Sequence, residues 1–126
     1  MNGIASAVGA GAMLTKIDLY DNQIDAIGGL EACESLEELD LSHNRIHRIQ
    51  GLDACRRLRT LYLVSNRLTR IENLSQLTSL ELLELGDNKI RVCFAVCFVP
   101  TSSALILIDL TWVMFAFSMK CKFLKH

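Results

Sequence analysis

The sequence has little of what several classes of protein require. Of its 126 residues only one is proline and seven are glycine, which excludes collagen-like and low-complexity chains. Neither charge dominates, since 13 lysine and arginine residues are matched by 14 aspartate and glutamate residues, so the charge balance favours neither nucleic acid nor an anionic membrane surface as a partner. Hydrophobic residues make up 51% of the chain, which excludes a disordered segment. We expect one folded domain that meets its partners through local contacts.

The cysteines and histidines do not form a recognisable site in the sequence. The five cysteines are an odd number and follow no secretory signal, which favours a reducing compartment, the cytoplasm or nucleus. Cys93 and Cys97 have three residues between them, not the two of a redox or zinc motif. His43 and His47 are predicted to be solvated, because they flank a turn and not a helix. The sequence also lacks phosphate-binding, hydrolase and kinase motifs, so we predict no catalytic residue, no metal and no cofactor.

A period of 22 residues dominates the middle of the chain, and its unit is LxxLxLxxNxIxxIxxLxxxxx. The first leucine of the unit occurs at Leu14, Leu36, Leu58 and Leu80. The asparagine occurs at Asn22, Asn44, Asn66 and Asn88. We therefore divide the chain into an Ala/Gly-rich lead-in at 1–13, repeats at 14–35, 36–57 and 58–79, a partial repeat at 80–91, and a hydrophobic tail at 92–126.

Each part of the unit has a physical explanation. The L-x-L core alternates with period two and predicts a short strand with one buried face. Apolar residues at every third position after the asparagine predict a 3₁₀ or irregular helical return. A buried asparagine amide can bond backbone groups that the turn leaves unpaired, so four of them in register predict a ladder. Because one repeat buries too little apolar surface to fold alone, the units must stack into a solenoid with parallel strands on its concave side.

These residues resemble the leucine-rich repeat superfamily, in its short 22-residue class. The resemblance implies an α/β solenoid of about four repeats. The segments IDLYDNQI, LYLVSNRLTRIENLSQL and LELGDNKIR are similar to consecutive repeats of the regulatory subunit 7 family of protein phosphatase 1. The likeness covers residues 14–91, whereas members of that family have many more repeats and a cap at each end. The chain therefore resembles a fragment.

The resemblance also implies a partner. In that family the concave face holds the phosphatase catalytic subunit through the exposed residue between the two strand leucines. The corresponding residues here are Asp18, Asp40, Tyr62 and Glu84. Strand alternation independently directs these positions to the open face, where aromatic and charged groups are typical of an interface anchor. Two alternatives stay open: the acids only keep a sheet face soluble, or the chain is a structural, ciliary or membrane-anchored adaptor with another partner.

Two smaller patterns have structural explanations. Cys33 and Cys55 are 22 residues apart, and Leu77 occupies the next equivalent position, so both thiols are predicted to pack in the core. Arginines are frequent between positions 45 and 70. Because acids are interspersed among them, we predict a solvated rim, with a basic side that meets an acidic partner as the alternative.

The tail at 92–126 departs from the repeat. Leu105 and Leu107 still match the 22-residue frame, but the asparagine expected at 110 is missing and no charged residue occurs from Val92 to Ile108. Three explanations remain: the tail is not a native repeat segment, a segment near 92–119 anchors the chain in a membrane, or the tail folds back as an extra strand or helix that covers the last repeat.

Overall fold

The computed structural model describes residues 13–90 and the backbone of 105–107. Five three-residue strands form one parallel sheet in the order of the sequence: β1 (Lys16–Asp18), β2 (Glu38–Asp40), β3 (Thr60–Tyr62), β4 (Leu82–Glu84) and β5 (Leu105–Leu107). Each strand pairs with the strand of the next repeat, so successive repeats stack side by side. This arrangement confirms the predicted solenoid.

The middle residue of each strand from β2 to β4 is a leucine whose side chain is fully buried, while its two neighbours are only half-buried. The alternation arises because successive side chains of a strand point to opposite faces. The inward leucines and the isoleucines of the returns form one continuous core. Cys33, Cys55 and Leu77 are each 0% exposed, which confirms that the thiols replace a core leucine.

The core is less complete at the β1 end. Leu14 is 38% exposed, whereas its equivalents Leu36, Leu58 and Leu80 are fully buried. Ile17 and Leu19 are only partly buried as well. Within the described residues no strand lies beyond β1, so the first repeat has a neighbour on one side only.

The convex returns are built from pairs of tight turns. In the first return, Cys33 N donates to Leu30 O at 3.0 Å and Leu36 N donates to Cys33 O at 3.3 Å. The same pair recurs in the next two returns. Because the two bonds are three residues apart and not consecutive, they close separate turns and do not continue as a helix. The returns are therefore irregular and contain isolated 3₁₀-type turns, and residues 14–90 contain no continuous helix.

Two positions of the repeat require a left-handed backbone. The residue before each ladder asparagine has a φ between 52° and 57°, at Asp21, His43, Ser65 and Asp87. Aspartate and histidine are among the residues that tolerate this conformation best. The second position is glycine in two repeats, Gly29 and Gly51, and is Asn73 with a φ of 59° in the third. Both positions are where the chain changes direction in each repeat.

The asparagines of the second to fourth repeats bond across repeat boundaries. Asn44 Oδ1 accepts from Ile24 N at 3.0 Å, and its Nδ2 donates to the carbonyls of Leu19, Leu41 and Ser42. Asn66 and Asn88 repeat this pattern one and two repeats further on. Each amide therefore ties its own turn to the turn of the preceding repeat.

The prediction of a buried amide was wrong for Asn22. Its side chain is exposed, and among the described residues its Nδ2 donates only to Leu19 O and Tyr20 O within its own repeat. The reason is its place at the β1 end, because the described residues include no preceding repeat to accept or donate a further bond. Asn44 and Asn66, by contrast, are each 8% exposed.

Candidate protein-interaction surface

The four residues Asp18, Asp40, Tyr62 and Glu84, called here the concave row, are direct register partners along the sheet. Each lies at the end of its strand, next to a leucine or isoleucine whose side chain points to the core side. Neighbouring strands lie about 4.8 Å apart, so the row extends over about 14 Å. Asp18 is exposed, while the other three side chains are half-buried. The structure thus brings all four predicted residues together on one face.

A second row runs parallel to the first on the same face. Its members, two residues earlier in each repeat, are Lys16, Glu38, Thr60 and Leu82. Lys16 Nζ lies 3.3 Å from Glu38 Oε1, so the only cation of the two rows is already paired with an acid within them. The face is therefore acidic near β1 and β2, and becomes more apolar toward β4.

Both aspartates of the concave row also bond their own backbone. Tyr20 N donates to Asp18 Oδ1 at 3.0 Å, and Ser42 N donates to Asp40 Oδ1 at 2.9 Å. In the next repeat, which has Tyr62 in this place, Val64 N donates instead to Ser42 Oγ at 3.2 Å. These bonds fix the orientation of the two carboxylates. The repeat period does not indicate this role, although an aspartate two residues before a turn is a known signal for such bonds.

The arginines lie on the rim, as predicted. Every arginine from position 45 to position 70 is exposed. Arg59 forms two hydrogen bonds with Glu81, at 3.0 and 3.1 Å, and Arg48 Nε lies 3.0 Å from Glu72 Oε1. Arg70 also lies within 3.7 Å of Glu72. Ion pairs between neighbouring repeats therefore neutralise part of the rim.

The side chains capable of acid–base or metal chemistry are dispersed. Among residues 13–90, no group of three or more histidine, cysteine or acidic side chains could hold a metal ion. Burial raises the pKa of the Cys55 thiol to about 11, with the neighbouring Cys33 adding to the effect. Burial, with Glu31 nearby, also raises the pKa of Cys33. His43 and His47 are both exposed, and the ring of His43 packs against Tyr20 at 4.8 Å between centroids.

Several predictions concern residues outside the described part of the chain. They include the lead-in at 1–12, Cys93 and Cys97, and the tail apart from the backbone of 105–107. In the part that the structure describes, no helix has the length and apolar character needed to cross a bilayer. The suggested membrane segment near 92–119 lies almost entirely outside that part and stays a prediction.

Three bacterial proteins of known structure have a similar fold. An internalin (InlF) of Listeria monocytogenes superposes with a TM-score of 0.73 and 26% identity, and the match covers 84% of this chain but 30% of the internalin. Internalin C2 of the same organism matches with a TM-score of 0.68 and 19% identity, over 86% of this chain and 57% of its own length. A leucine-rich repeat protein of Leptospira interrogans superposes with a TM-score of 0.69 and 22% identity, and the match covers 81% of this chain and 27% of that protein. The chain thus spans only part of each.

The sequence itself matches a family model described as leucine-rich repeats in two copies, over residues 13–54 and 56–92. No curated protein matches the chain significantly. The likeness to the regulatory subunit 7 family therefore stays a prediction. Repeat solenoids of this kind use their extended concave surfaces to bind other proteins. On the family match and the 22-residue stacking of its strands, the chain belongs to the leucine-rich repeat family.

Proposed function

We propose that this chain is a non-enzymatic protein-binding module that holds the catalytic subunit of protein phosphatase 1 against its concave row. The observation that supports the proposal is the alignment of Asp40, Tyr62 and Glu84 in direct register on one sheet face. A rigid parallel sheet fixes the separation of the three side chains before any partner arrives. Binding then orders few side chains, which reduces the entropic cost of the complex.

The chemistry of the row suits an interface anchor. Tyr62 is half-buried and lies between Asp40 and Glu84, which are on the two neighbouring strands, each about 4.8 Å away. Tyrosine supplies a large, stiff apolar surface with a hydroxyl at its tip, and it is enriched among residues that dominate binding energy. Flanking carboxylates favour a basic side chain on the partner. Asp40 is already oriented by Ser42 N, which is a further advantage for such a contact.

The size of the row limits the expected affinity. A standard interface buries about 800 Å² on each partner, whereas the row extends over about 14 Å. We therefore expect a dissociation constant in the micromolar range or weaker, near −8 kcal/mol or less favourable. The free thiols of Cys33 and Cys55 support a reducing compartment, the cytoplasm or nucleus, as part of the same proposal.

The test is quantitative binding of the purified catalytic subunit to the full chain. One variant carries Asp40→Ala, Tyr62→Ala and Glu84→Ala. A matched control carries Glu31→Ala, Glu34→Ala and Asp53→Ala, three exposed acids of the convex returns. We expect a loss of at least tenfold for the concave variant and little change for the control, with unchanged circular dichroism in both. No binding by the folded wild-type chain, or equal losses in the two variants, would refute the proposal.

A further inference from the structure

The register of β5 differs from that of the other strands. Between β1 and β4, each residue pairs with the residue 22 positions later, as Leu61 does with Leu83. Between β4 and β5 the offset is 23, because Leu83 pairs with Ile106 and Glu84 pairs with Leu107. A slip of one residue exchanges the two faces of a strand. The 22-residue frame assigns Leu105 and Leu107 to the core positions, whereas the observed pairing assigns Ile106 to the position of the buried Leu83.

We propose that Leu105–Leu107 is the strand of a fifth repeat, that the fourth repeat is 23 residues long, and that Leu105 and Leu107 extend the two rows of the concave face. In this register Leu105 follows Leu82 in the second row and Leu107 follows Glu84 in the concave row. Ile106 is the register partner of the buried Leu83. The strand thus continues the solenoid. The segment between β4 and β5 contains one residue more than the segments between the earlier strands.

The sequence beyond the strand agrees better with an offset of 23 than with one of 22. The position equivalent to Asn88 is Leu110 with the shorter offset and Thr111 with the longer one. Asn88 uses its side chain to bond Leu68 N and the carbonyls of Leu63, Leu85 and Gly86. A leucine can make no such bond, whereas a threonine hydroxyl both donates and accepts. The shifted frame therefore has a threonine, and not a leucine, at the position equivalent to the ladder asparagines.

The proposal changes the composition of the concave face. The register partners along the second row become Lys16, Glu38, Thr60, Leu82 and Leu105, and those along the concave row become Asp18, Asp40, Tyr62, Glu84 and Leu107. Three of the four residues on β1 and β2 are acidic, while three of the four on β4 and β5 are leucines. The gradient favours a partner segment that lies across the strands, with basic side chains at one end and apolar side chains at the other. This part of the inference rests on the proposed function.

Thermal unfolding of the full chain tests the register. In this register Ile106→Ala removes a core side chain, so its midpoint should fall by about 8 °C or more, while Leu105→Ala and Leu107→Ala shift it by about 3 °C or less. Ile106→Val, which removes one methyl group, gives a smaller fall if Ile106→Ala does not fold. The opposite order, with Leu105 and Leu107 sensitive and Ile106 tolerant, would restore the 22-residue frame. Three tolerant positions would show that the strand does not pack on the solenoid, and would equally overturn the proposal.

Binding of the phosphatase catalytic subunit tests whether Leu107 belongs to the concave face. Leu107→Ala should weaken binding about fivefold or more while shifting the unfolding midpoint by about 3 °C or less, and Leu107→Asp should weaken binding further. Unchanged binding in both variants would remove Leu107 from the contact surface. If the wild-type chain does not bind the catalytic subunit at all, the proposed function fails. The unfolding series still decides whether the strand belongs to a fifth repeat, so the two failures are distinguishable.

Discussion

Asn66 binds the backbone of Ile46, a residue of the preceding repeat, through a hydrogen bond of 3.0 Å from Ile46 N to Asn66 Oδ1. Its Nδ2 donates to carbonyls on both sides of the same boundary, at Leu41, Leu63 and Val64. The amide therefore satisfies the buried Ile46 N, and it shares three carbonyls that also accept from Asn44, Asn88 and His43 N. The asparagine ladder therefore stabilises the contact between neighbouring repeats, in addition to the buried leucines.

Replacing Asn66 by alanine should destabilise the fold by about 2 kcal/mol, because the buried Ile46 N would lose its acceptor, while Leu41 O would keep its hydrogen bond from Asn44. The matched control is Asn22→Ala, since Asn22 is exposed and bonds only two carbonyls of its own repeat. We expect less than about 1 kcal/mol for the control, because water can replace the lost bonds. Urea unfolding followed by circular dichroism measures both values, and equal losses would contradict the role of burial.

A second prediction concerns Gly51, which has a φ of 70°. A Cβ at this position would lie 2.8 Å from Ile27 O, so Gly51→Ala combines a steric clash with backbone strain and should cost about 2 kcal/mol or more. Gly51→Asn should cost less, because Asn73 occupies the equivalent position with a φ of 59° and its Nδ2 donates to Ile49 O at 2.7 Å.

Gly28→Ala is the control for this series, since nothing lies within 4 Å of a Cβ built at Gly28. Thermal unfolding of the three variants should rank them with Gly28→Ala closest to wild type and Gly51→Ala farthest from it. A Gly51→Asn variant as unstable as Gly51→Ala would show that a side-chain hydrogen bond like that of Asn73 does not offset the backbone strain at this position.

The repeat period was enough to predict the first four strands, the core cysteines and the alignment of the concave row. Leucine spacing determines these features, because a shift of one residue would expose the inward side chain of each strand, such as Leu39 or Leu61. The period could not predict the slip at β5, where Leu105, Ile106 and Leu107 are all apolar and fit either frame. The period also did not predict the exposure of Asn22, which lies at the β1 end of the sheet, where the described residues include no preceding repeat.

Ion pairs between repeats should differ in strength according to their exposure. Arg59 and Glu81 have side chains that are 55% and 56% exposed, so Glu81→Gln should cost less than about 0.5 kcal/mol. Glu72 has a side chain only 16% exposed and lies within 4 Å of both Arg48 and Arg70. Glu72→Gln should therefore cost about 1 kcal/mol and should be less sensitive to added salt. Chemical denaturation with urea at low and high sodium chloride concentrations measures both effects. The idea fails if Glu81→Gln proves the more costly change.

The buried thiols predict a loss of stability in alkali. Burial raises the pKa of Cys55 from the ordinary 9.0 to about 11, so the folded chain retains its thiol proton at a pH where the unfolded chain has lost it. Stability is greatest below pH 9 and falls as the pH rises toward 11, because the unfolded state then binds fewer protons than the native state. For Cys55 alone the decrease between pH 8 and pH 10.5 should be about 2 kcal/mol.

Urea unfolding at several pH values in this range, with a reducing agent present, measures the decrease, and Cys55→Ala is the comparison. The variant is expected to be less stable at pH 8, since it leaves a small cavity among core residues. Its stability should nevertheless decline less steeply, because only the wild type has the Cys55 thiol and the two chains are otherwise identical. Parallel pH dependences in the two chains would mean that Cys55 ionises at an ordinary pH and that water reaches this part of the core.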